Sequence, residues 1–76
     1  MYCKTYTQIN RADDNGEIKV SAELISSTTP DEFPTTGEGI TNLNSMYKLE
    51  PGTTVYVVDS TSLYMMNEEY EYVLQG

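Results

Sequence analysis

Cys3 followed by Lys4, and the adjacent carboxylates Asp13-Asp14 and Glu68-Glu69, are the residues whose types and spacing could do chemistry. A thiol beside an ammonium can be activated as a nucleophile, and two close carboxylates can divide acid and base work. Neither arrangement has the companion it needs. The chain contains no histidine, which removes the usual general base, the Ser-His and Cys-His nucleophile pairs and most zinc sites. Cys3 therefore reads as a small buried or half-buried residue, and the carboxylate pairs as solvated charge at turns. The segment DDNGE supplies oxygens around a glycine. However, placing Gly16 at the sixth position of a calcium loop puts Arg11 at the first and Ala22 at the twelfth, where Asp and Glu are required. No glycine-rich phosphate loop or dinucleotide fingerprint occurs. The sequence thus predicts no catalytic residue, no metal, no cofactor and no enzyme, which leaves binding or structure.

The elements that must carry such a role are short. A chain of 76 residues forms one domain at most and buries only about 60% of its unfolded surface, so its core is marginal and partners are expected. Twelve Asp and Glu against four Lys and Arg give a net charge of −8, which repels nucleic acid phosphates and anionic membranes. One cysteine rules out an intrachain disulfide. Lys4 has no apolar run behind it, and nothing approaches the roughly 18 apolar residues of a span, so neither signal peptide nor membrane segment is expected.

Residues 1–9 alternate in a β pattern without a clearly apolar face, an edge strand. Asn15-Gly16 is a hairpin signal, because both central positions of a type I′ turn need positive φ. Ile18, Val20, Ala22 and Leu24 then fall on one face of a second strand. Residues 27–39 hold two Pro, two Gly and four Thr and read as loop, with Phe33 pinning it to the core. Spacings nearer 3 and 4 than 2 in residues 40–49 predict a short helix or 3₁₀ turn. After Pro51-Gly52, residues 54–58, 63–66 and 70–74 form a three-strand meander, with turns at 59–62 and 67–69. The expected fold is mainly β: a small antiparallel sheet or partly closed barrel in one domain. Its parts are a hairpin over 1–26, a loop with at most one short helical turn over 27–52, and the meander over 53–75.

Both faces of the first two meander strands are apolar, so the meander must be covered twice. The hairpin row Ile18, Val20, Ala22 and Leu24 is the expected partner of Val55, Val57, Leu63 and Met65. Tyr56, Val58, Tyr64 and Met66 are then left for the Phe33 loop and a neighbouring subunit, which makes Phe33, Tyr56, Val58, Tyr64 and Met66 the candidate interface.

Five elements occur in order over residues 34–75: Pro34-Thr35-Thr36-Gly37; Pro51-Gly52-Thr53 with Tyr56 four residues after the glycine; Asp59; Tyr64-Met65; and Tyr72-Val73. In this spacing the chain resembles a small β-module of tailed-bacteriophage structural proteins, of the head-fibre or decoration type. Thr53 stands where that pattern has Ser, and Tyr72 where it has Trp; the first 33 residues lie outside it. The resemblance implies a virion component and carries no catalytic residue; together with the marginal core it leads to the expectation of a homo-oligomer docked on a capsid or tail protein, and with no signal peptide the chain is expected to be made in the host cytoplasm. The competing expectation, from the charge, is a small acidic inhibitor that mimics nucleic acid and blocks a host nuclease.

Overall fold

A computed structural model describes residues 1–10 and 16–76. Six strands run in chain order: β1 (Tyr2–Asn10), β2 (Lys19–Ser26), β3 (Lys48–Leu49), β4 (Thr54–Val57), β5 (Ser62–Met66) and β6 (Tyr72–Leu74). They form one mixed sheet in the order β1-β2-β4-β5-β6, with β3 also paired to β2, and the path from β1 to β6 does not close into a barrel. The described residues contain no helix. The mainly β expectation therefore holds, with an N-terminal hairpin pairing and a C-terminal meander, but the sheet is not purely antiparallel.

The mixed topology follows from the long connection between β2 and β4. Adjacent strands joined by a short turn must be antiparallel, whereas a connection of a dozen residues or more can return the chain to its starting end and make neighbours parallel. Residues 27–53 do this, so β2 pairs parallel with β3 at Val20↔Leu49 and with β4 from Glu23↔Thr54 to Ser26↔Val57. The hairpin expected to lie over the meander is consequently beside it, in the same sheet.

Between β3 and β4 the Pro51-Gly52 turn interrupts the ladder along β2, and Gly52 takes φ 99°, a conformation glycine adopts without side-chain strain. Thr53, fully buried, bridges the gap. Its Oγ1 accepts the Ala22 N–H at 3.3 Å and donates to the Glu50 carbonyl at 2.8 Å, while the Glu50 N–H donates to the Val20 carbonyl at 2.9 Å. A side chain thus replaces a missing strand residue, leaving no buried backbone donor unpaired at that point.

Residues 40–49 hold turns and the two-residue β3 where a helical turn was expected. Left-handed Asn42, with φ 66°, and an Asn44 side chain whose Oδ1 accepts the Met46 N–H at 2.8 Å favour turn over helix. Within the covering chain this segment approaches Gly37 so tightly that a Cβ there would sit 2.0 Å from the Asn44 carbonyl oxygen. The turn expected at Asn15-Gly16 falls partly on residues 11–15, outside the described residues; the β1–β2 pairing it would join is antiparallel. The last turn runs longer than expected. Asn67 Oδ1 accepts the N–H groups of Glu69 and Glu71, and Tyr70 sits at φ 64°, so β6 begins at Tyr72 and not at Tyr70.

The core lies between one face of the sheet and the chain of residues 27–47. Val20, Ala22 and Leu24 of β2, Leu49, Val55 and Val57, and Met66 are buried there with Cys3 and Ile40, and Phe33, Leu43 and Tyr47 close over them.

Candidate interaction surface

Residues paired across adjacent strands share a face of the sheet, so the register assigns every side chain to one of two sides. Val55 pairs with Tyr64 and Met66 with Tyr72, which places Tyr64, Met66 and Tyr72 on the packed side with Leu24 and Val55. Tyr56 pairs with Ile25 on one flank and Leu63 on the other, and Ile25 pairs with Tyr2. Tyr2, Ile25, Tyr56 and Leu63 thus form one apolar row across four strands of the open side. Met65 and Val73, paired with each other, lie in the next row beside Thr54 and Glu23.

This register corrects the expected grouping of faces. Val55 and Val57 share a side with Tyr64 and Met66, not with Leu63 and Met65, and Tyr56 shares its side with Leu63 and Met65. Of the five candidate interface residues, three belong to the packed layer. Met66 is buried, and Phe33 and Tyr64 are half-buried and pack against the core cluster. Tyr56 is half-buried on the open side, and Val58, just beyond β4, is exposed while its N–H donates to the Ser26 carbonyl at 2.9 Å. Tyr2, Ile25, Leu63, Met65 and Val73 were not in the expected set.

The aromatic cluster on the packed side is a joint between sheet and covering chain. The Phe33 ring stacks on Tyr72 at 5.0 Å between centroids and meets Tyr64 edge-on at 4.8 Å. Tyr72 Oη donates to the Pro34 carbonyl at 2.8 Å. Burial pushes the Tyr72 hydroxyl well above the usual tyrosine range, because an ionised phenolate would lose its hydration there. Cys3 is also buried, and its Sγ donates to the Thr5 carbonyl at 3.2 Å; desolvation chiefly raises its thiol, and Glu23 adds to the rise. A thiol so placed is a poor nucleophile at neutral pH.

The open side changes character along the strands. At the end away from the apolar row, Lys19 and Lys48 are side by side in register, and the Tyr70 ring lies 6.0 Å from Lys48 Nζ. Tyr70 Oη donates to Glu50 Oε1 at 3.0 Å, and that bond raises the Tyr70 hydroxyl above its ordinary range. Hydroxyl residues Thr5, Thr7, Ser21 and Thr54 lie between the two ends. A separate cleft of about 310 Å³ opens between Met1 and the covering chain, floored by Phe33, Pro34 and Ile40 with Glu32 and Glu38 at its rim. Among the described residues, no three of His, Cys, Asp and Glu come together as a metal site would need.

No family model matches the chain, and no curated protein or solved structure does either. Function therefore rests on the surface itself.

Proposed function

We propose that this chain is a non-enzymatic docking module, a structural component of a bacteriophage particle that self-associates and seats on another virion protein. The observation that carries the docking role is the apolar row Tyr2, Ile25, Tyr56 and Leu63, with Met65 and Val73 beside it, on the sheet face opposite the core, where Tyr2, Met65 and Val73 are exposed. Apolar area of this kind, flanked by polar side chains, has the make-up of a protein contact. The assignment to a phage particle is supported by the ordered elements between Pro34 and Val73. In this fold they are mostly joints: Gly37 where a Cβ would clash, Thr53 bridging the ladder, Tyr72 tied to Pro34, and Tyr56 on the open face.

Mass spectrometry of purified virions tests the reading. The expected result is the chain at stoichiometric abundance in particles, with incorporation reduced by Tyr56→Ser. Absence from particles together with recovery on a host nuclease would put the acidic-inhibitor reading in its place.

A further inference from the structure

Resting on the docking role proposed above, we infer that the open face of the sheet takes a second copy of this chain, in a two-fold, face-to-face pairing centred on Tyr56. The argument is electrostatic first. The six strands hold Lys4, Lys19 and Lys48, three of the four basic residues, but only Glu23 of the twelve acidic ones. The net charge of −8 is therefore concentrated outside the sheet. Asp31, Glu32 and Glu38 lie in the covering chain, and Asp59, Glu68, Glu69 and Glu71 in the turns and connections beyond β4 and β5.

Two identical acidic bodies repel wherever these segments meet. A contact through the covering chain or the turns sets carboxylate against carboxylate, whereas the open face presents Lys19 and Lys48 against Glu23 and Glu50 around an apolar centre. A basic partner would be drawn to the acidic segments instead. In a face-to-face pairing both copies keep their acidic segments away from the contact and bring together the one face that carries both signs.

The composition also suits an isologous contact, in which one patch must complement itself. Apolar side chains satisfy that condition in any register. A patch carrying both signs at its margin can meet its own copy, and a patch of one sign cannot. The two apolar rows together touch five strands about 4.8 Å apart, and hydroxyl and charged residues surround them. That is the apolar-core, polar-rim plan of a protein contact.

Sedimentation equilibrium of the full chain over a wide concentration range is the test. Wild type should show a monomer–dimer equilibrium, and Met65→Glu combined with Val73→Glu should weaken it by on the order of 100-fold, because four added carboxylates would then be desolvated within the apolar contact. Leu74→Glu is the control: Leu74 is 56% exposed but shares the packed side with Tyr64, and should change dimerisation by less than about threefold. Should the double variant lose its fold, dilution of wild type followed by methyl NMR gives the same answer, with shifts expected at Leu63 and Met65 and none at Leu74. A monomeric wild type, or dissociation by Leu74→Glu and not by the double variant, overturns the pairing. A monomeric wild type whose double variant is lost from particles would overturn self-pairing alone. A dimer found in no particle would instead leave the pairing standing and remove the virion role.

Discussion

β5 contributes alternate residues to two unlike surfaces. Tyr64 and Met66 enter a layer where Phe33, Tyr72, Val55 and Leu24 surround them, while Leu63 and Met65 belong to the opposite face, outside the core cluster and the residues packed against it. Hydropathy does not distinguish the two sets, since both consist of large apolar side chains. Residues 27–47 can lie over only one side of a sheet this wide. The sheet is therefore apolar on both faces but packed on one, so stability should reside on the packed face and association on the open one.

The largest effect expected is on the packed side. Leu24, 1% exposed at the centre of β2, lies between β1 and β4, and Leu24→Ala should cost about 2–5 kcal/mol through lost burial and the cavity left behind. Chemical denaturation checks this. A cost under about 1 kcal/mol would mean that the covering chain does not pack as described, and the contrast between faces would fail.

Thr53→Val comes next. The substitution keeps the shape of a β-branched side chain but leaves the Ala22 N–H facing a methyl group, and an unsatisfied buried donor costs about 1–3 kcal/mol. Thr53→Ser retains the hydroxyl and should recover most of that loss. Equal melts for the two variants would show that the bridge across the β3–β4 gap contributes little.

Tyr72 sharpens the comparison through pH. Its hydroxyl ionises at a raised pKa when folded, against an ordinary value of 10.0, so the folded state holds a proton that the unfolded state releases. The stabilisation is complete below about pH 10 and is lost as pH climbs above it. Tyr72→Phe should lower stability by about 1 kcal/mol at neutral pH, for the bond to the Pro34 carbonyl, and should make the melt less sensitive to alkali. An unchanged alkaline profile would place the Tyr72 hydroxyl in water.

Much of this fold was legible in the sequence. Val20, Ala22 and Leu24 alternate on the buried face of β2 as their spacing predicts, with Ile18 just before the strand, and the meander and its turns stand close to where the residues placed them. Phe33 pins the covering loop as its isolation in a Pro- and Thr-rich stretch suggested. Three features escaped. The parallel pairing of β2 with β4 depends on where a long connection ends, which no local signal encodes. The turn in residues 40–47 has helix-like spacing, but Asn42 and Asn44 stabilise turn geometry instead. The grouping of faces failed for a reason that was present in the sequence. Four residues separate Val57 from Ser62, and an even loop pairs odd-numbered residues with even-numbered ones, so Val55 meets Tyr64 and not Leu63.

The smallest expected effect tests that parity directly. Tyr64 and Met65 are neighbours in the chain, and the register sends them to opposite sides. Tyr64→Ser removes a ring held edge-on against Phe33 at 4.8 Å and should cost roughly 2–4 kcal/mol. Met65, 38% exposed on the open face, loses little protein contact on truncation. Met65→Ser should change the stability of the monomer by less than about 0.5 kcal/mol, measured at a concentration too low for association. The same variant at high concentration should shift the monomer–dimer equilibrium towards monomer, which Tyr64→Ser should do only in so far as it unfolds the chain. If the two variants exchange these behaviours, with Met65→Ser collapsing the melt and Tyr64→Ser weakening association alone, the register of β4 against β5 is off by one residue. Every assignment to the open face would then move to the packed one.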